Sequence, residues 1–204
     1  MLLTIVTPDT QAGMRKMLER ELEGIDHEII NKKWDKGIEL AKGNFVCLLE
    51  TNSAVKRGSI RDNLQVFLDN PSYRKLAMVS PAVDLADNDA IVPFMMGWMS
   101  DTTYNGVTYT MASAANGIKS VRLGFTPGAV IRRSSLLKSG VEYKKNPFLY
   151  SLEMSIAFWE QGLRVSGNPE SLYYAPENIT YTKIKDTPEV PSAVLEMWKH
   201  EMIS

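Results

Sequence analysis

Short apolar runs alternate along this chain with stretches whose apolar residues return every three or four positions. Leu2 to Thr7 is compact and apolar and breaks at Thr7-Pro8-Asp9, which predicts a strand ended by proline. Ala12 to Leu22 then places Met14, Met17, Leu18 and Leu22 at helical spacing. His27 to Asn31 reads as a second strand, Asp35 to Lys42 as a short helix stopped by Gly43, and Asn44 to Leu49 as a third strand. Ser59 is placed to cap a helix carrying Ile60, Leu64, Phe67 and Leu68 that ends before Asn70-Pro71. Leu76 to Val83 is a fourth strand. This alternation predicts an α/β fold whose sheet is mostly parallel and joined by right-handed crossovers.

The pattern changes between about Ala86 and Thr126. Met95, Met96, Trp98, Met99, Tyr104 and Tyr109 stand there among small and polar residues. Val107 to Met111 fits a hairpin strand, and the remainder reads as a long excursion of the kind that often carries function. Regular patterning returns at Gly128-Ala-Val-Ile-Arg-Arg, followed by a short helix near Ser134 to Lys138. Pro147 to Gln161 is a helix that directs Met154, Phe158 and Trp159 to the core. Gly162-Leu-Arg-Val is extended again, and Pro191 to Ile203 forms a closing helix with proline in its first turn. There is no repeat, low-complexity tract or linker, so residues 1–204 read as a single domain.

Composition narrows the function classes. A chain of 204 residues suffices for one α/β domain with a proper core, and 44% hydrophobic with 23% charged residues is ordinary for a soluble protein. The net charge of −1 leaves no global basic footprint for nucleic acid. The single Cys47 lies inside an apolar strand and reads as a small buried hydrophobe; one cysteine excludes an internal disulfide framework. No apolar run reaches membrane-spanning length and no signal peptide opens the chain, so a cytoplasmic location is expected.

The run Trp34-Asp-Lys-Gly-Ile-Glu-Leu-Ala-Lys-Gly-Asn-Phe-Val-Cys-Leu-Leu-Glu50-Thr51-Asn52 resembles the heart of family-2 GT-A glycosyltransferases. Gly37, Ile38, Ala41, Gly43 and Phe45 fall in register with that pattern, and Glu50-Thr51-Asn52 stands where the family has Asp-x-Asp. Gly128-Ala-Val-Ile-Arg-Arg, Ser139-Gly140-Val141, Phe148-Leu-Tyr-Ser-Leu-Glu153, Gly162-Leu-Arg-Val and Pro169-Glu170 resemble later blocks of the same family in order and spacing. The resemblance implies a GT-A, Rossmann-like domain with a nucleotide-sugar half over residues 1–85 and an acceptor half over 86–204. It implies transfer of a sugar from a nucleotide-sugar donor to an acceptor hydroxyl on a glycan, a protein or a modified DNA base, as in small viral transferases.

Such a reaction must offset the growing charge of a diphosphate leaving group and deprotonate an acceptor. The resemblance assigns the donor side to Pro8, Asp9, Asn31, Glu50, Thr51 and Asn52. Mg²⁺ or Mn²⁺ would be held through the oxygens of Glu50 and Asn52, a pair with one charge in place of two. Basic groups such as Lys36, Arg132 and Arg133 are the alternative means of meeting the diphosphate. The base falls on Glu153 if Phe148-Leu149-Tyr150 is matched to the family's Phe-Leu-Tyr; an ungapped count from Gly162 puts Tyr150-Ser151 there instead. The alternative function is a catalytically degenerate GT-A domain serving as a binding subunit beside a protein partner or in a homo-oligomer. A nucleotidyltransferase ranks third, because Thr7-Pro8-Asp9-Thr10-Gln11-Ala12-Gly13 is a poor phosphate loop.

Overall fold

The computed structural model describes residues 1–8, 11–69, 74–84, 91–92, 102–104, 107–109, 119–121 and 124–176. The first half runs β1 (Leu3–Thr7), α1 (Ala12–Glu21), β2 (His27–Asn31), α2 (Trp34–Leu40), β3 (Phe45–Leu48), β4 (Ala54–Val55), α3 (Ser59–Asp69) and β5 (Leu76–Asp84). The second half runs β6 (Ile91–Val92), β7 (Thr102–Tyr104), β8 (Val107–Tyr109), β9 (Lys119–Val121), β10 (Val130–Arg132), α4 (Arg133–Lys138), α5 (Pro147–Glu160) and β11 (Arg164–Tyr174).

The main sheet has the order β2-β1-β3-β10-β5-β11-β4, with β6 against β5 and β9 against β11. Strands β1, β2, β3, β5 and β11 run one way, and β10 and β4 run against them. All five residues of β1 are buried, as expected of a strand covered on both faces and written as an unbroken apolar run. Met14 and Leu18 of α1, with Leu22 just after it, pack with Ile60, Leu64 and Phe67 of α3 in one layer. Trp34 of α2, Leu136 of α4 and Tyr150, Met154 and Phe158 of α5 pack in the other. Strands β7 and β8 form the expected antiparallel hairpin.

The glycines of the recognised run have packing reasons. A Cβ on Gly37 would land on the Val6 side chain, so α2 can lie against β1 only without one. A Cβ on Gly43 would stand 2.6 Å from the Thr4 backbone nitrogen and 2.8 Å from the Phe45 carbonyl oxygen.

Several expectations are corrected. Ser59 is the first residue of α3, and its hydroxyl accepts from the Leu172 amide at 2.9 Å rather than capping the helix. The buried Glu21 of α1 does that work: Oε2 accepts from Gly58 N–H at 2.7 Å and Oε1 from Ile60 N–H at 3.0 Å. A carboxylate suits the positive end of a helix, and here it arrives from another element. Met154 and Phe158 are buried as expected, but Trp159 is 39% exposed. Strands β4, β6 and β9 were not anticipated. The closing helix predicted over 191–203 lies outside the described residues.

Candidate functional site

Strand β1 sits between β2 and β3. The chain leaves β1 through α1 to reach β2, then returns through α2 to reach β3 on the other side of β1. The two helices consequently belong to opposite layers. Strand order reverses here, and in open α/β sheets a crevice forms outside the carboxyl ends of the strands at such a point.

The register brings the loops of this edge together. Thr7 lies opposite Asn31, Val6 opposite Leu48, and the Leu49 amide donates to the Val6 carbonyl at 2.9 Å. Pro8, Asn31 and Glu50-Thr51-Asn52 therefore leave adjacent strand ends, the half-buried Pro8 beside the exposed Asn31 and Asn52. Asn52 adopts φ 60°, a left-handed conformation that asparagine tolerates, and Ser53 fixes the turn by donating its hydroxyl to the Glu50 carbonyl at 2.8 Å. Across the crevice, Gln11 Nε2 donates to Asn52 Oδ1 at 2.9 Å. A cavity of about 340 Å³ opens beside that bond, lined by Gln11, Gly13, Met14, Met17, Asn52, Ser53 and Ala54. Gln11 and the two methionines carry no motif, so sequence reasoning did not single them out as site residues.

Glu50 turns inward. Burial pushes its pKa up to about 7, against a smaller opposing effect of the nearby Tyr173 hydroxyl. Neither Glu50 Oε2 nor the fully buried Tyr173 hydroxyl has a hydrogen bond of good geometry among the described residues. On its other side, Trp34 Nε1 donates to the Leu49 carbonyl at 2.9 Å. Trp34 meets Tyr150 at 5.9 Å between ring centroids and Tyr143 at 5.7 Å, so three aromatic rings lie beside the strand end that carries Glu50.

Among the described residues the donor set does not fit a resident Mg²⁺ or Mn²⁺. Such an ion needs several oxygen ligands, carboxylates foremost. Here the pair offers a single carboxyl, and Asn52 Oδ1 is engaged by Gln11. Among the described residues no three His, Cys, Asp or Glu side chains are grouped to hold a metal.

The other candidates separate. Lys36 is exposed on α2 and pairs with Glu39 at 3.1 Å. Arg132 lies at the opposite edge of the sheet: β10 is antiparallel to β3, so Arg132 stands beside Phe45, the first residue of β3. Its guanidinium covers the Phe45 and Phe67 rings at 5.5 and 5.4 Å and donates to the Leu76 carbonyl. Arg133 donates its backbone amide to the Asn44 carbonyl at the same edge. Asp9 lies outside the described residues, as do Met95 to Met99.

Both alternatives for the base are on α5. Glu153 is partly buried in the second turn, 3.8 Å from Lys144 Nζ. Ser151 is fully buried, donates to the Pro147 carbonyl at 2.6 Å and accepts from the Thr126 amide at 2.9 Å. Thr126 leads into Pro127 and Gly128, which join the end of β3 at Leu48. Ser151 is thus an anchor for the segment beside Glu50.

This sheet, with its antiparallel β10 between β3 and β5, has the GT-A glycosyltransferase fold. Among solved structures, the chain is similar to S. aureus TarS. The 1-349 fragment of TarS in complex with UDP-GlcNAc superposes with a TM-score of 0.56 at 11% identity, over 86% of this chain and 58% of that fragment. The longer TarS structure superposes with a TM-score of 0.49 at 10% identity, over 90% of this chain and 37% of TarS. This chain therefore spans less than two thirds of the length of either, and the likeness to the 1-349 fragment shows the fold alone. No protein-family model and no curated protein matches the sequence.

Proposed function

We propose that this protein binds a nucleoside-diphosphate sugar in the crevice between the carboxyl ends of β1 and β3 and transfers the sugar to an acceptor hydroxyl. The observation that carries the reading is the reversal of strand order at β1, with Gln11, Glu50 and Asn52 gathered at its open edge. The fold is shared with a protein crystallised with UDP-GlcNAc, which makes uridine the first nucleotide to try. Glu153 is the proposed base; it must shed its contact with Lys144 to accept a proton. Of the basic candidates, Lys36 of α2, which follows the end of β2, is the proposed counter-charge to the diphosphate, released from Glu39 when the donor binds.

A degenerate donor-binding subunit is the second reading. The buried, hydrogen-bonded Ser151 at one of the two base positions favours it. Release of UDP from UDP-GlcNAc, followed with and without candidate acceptors, separates the two. Turnover that disappears in Glu153→Gln supports transfer; donor binding without any UDP release supports the degenerate subunit. Unchanged turnover in Glu153→Gln contradicts the assignment of the base.

A further inference from the structure

The loop joining α4 to α5 brings Tyr143 to this edge. Its ring meets Trp34 at 5.7 Å and 69°, and Tyr150 at 5.8 Å and 67°, so two edge-to-face contacts fix its plane. Trp34 and Tyr150 are buried at 2% and 1% exposure, whereas Tyr143 is 37% exposed. Tyr143 is thus a partly open aromatic side chain held by a rigid base, itself tied to the Leu49 carbonyl one residue before Glu50. Burial raises its hydroxyl pKa, and Glu50 and then Asp35 add to the rise.

We propose that Tyr143 is the surface on which the apolar face of the donor's sugar packs. A pyranose combines an apolar C–H face with a rim of hydroxyl donors. A flat, partly open aromatic ring matches the apolar face. The inference rests on the donor-site reading and deepens it: the crevice between β1 and β3 takes the nucleotide, and Tyr143 takes the sugar. A tyrosine that only closed an aromatic cluster would not distinguish a nucleotide from its sugar conjugate.

The test is calorimetric titration of UDP and UDP-GlcNAc into the wild type, Tyr143→Phe and Tyr143→Ala. Tyr143→Ala should weaken UDP-GlcNAc about fivefold and leave UDP within about twofold, the loss expected for one uncovered apolar face. Tyr143→Phe should keep both affinities, since the ring remains. Tyr143→Leu replaces Tyr143→Ala if the latter loses cooperative unfolding, and the same result is expected. Equal weakening of both ligands, or no weakening of either, overturns the inference while wild-type binding keeps the donor site. Wild-type protein that binds neither ligand overturns the donor site, and the inference falls with it.

Discussion

At the residue scale, Glu50 has its charged form penalised by burial. Its ordinary pKa of 4.5 rises to about 7 in the fold, so between those values the unfolded chain is ionised and the folded protein is not. The unfolded state then binds fewer protons, and stability falls as pH rises from about 4.5 to about 7. Below that window both states are protonated and above it both are ionised, so the slope ends at either side. Glu50→Gln should flatten this part of the profile and stabilise the protein at pH 8 by about 2–3 kcal/mol. Urea unfolding at pH 5 and pH 8 checks it; parallel losses in wild type and variant would contradict the assignment. The position of Glu50 at a strand end was legible in the sequence. Its burial was not, because Tyr173 comes from β11, far along the chain. Arg132 fails as a donor-site residue for a related reason: its strand was legible, but the direction of that strand is set by pairing with β3 and β5.

At the element scale, the helices and their connections depend on close approaches. Gly43→Ala should cost more than Gly37→Ala, because the added methyl meets backbone atoms of Leu3, Thr4 and Phe45 in one case and a side chain in the other. About 1–3 kcal/mol is expected for Gly37→Ala and more for Gly43→Ala, read from denaturant midpoints at constant slope. An equal, small cost at both positions would contradict the packing seen here. Glu21→Ala should cost about 2 kcal/mol by leaving the amides of Gly58 and Ile60 without their acceptor, while Ser59→Ala loses only the tie to Leu172. Thermal unfolding of the two variants ranks them, and a larger loss in Ser59→Ala would reverse the assignment of the cap. Local patterning marked β1, α1, β2, α2, β3, α3 and α5 within a residue or two of their ends. It missed β4, whose two residues are defined by pairing with Tyr173 and Tyr174, and the cap by Glu21, which joins residues distant in sequence.

At the scale of the whole molecule, β2-β1-β3 builds the crevice and β10, β5 and β11 extend the sheet beside it. The alternating pattern implied the α/β class, and the glycine-bearing run around Trp34 to Asn52 implied the GT-A arrangement. Neither contained the bond from Gln11 to Asn52 or the aromatic support of Tyr143, which arise only when separate loops meet at one edge. The central claim is that a nucleotide occupies this edge. Gly13 lines the cavity, and a Cβ added there meets open space, so Gly13→Trp should fill the crevice without disturbing the fold. The decisive measurement is calorimetric titration of UDP into wild type and Gly13→Trp. A single saturable site in the wild type, lost in Gly13→Trp at unchanged melting temperature, is the predicted result. No binding by the wild type, or equal binding by both proteins, would contradict it.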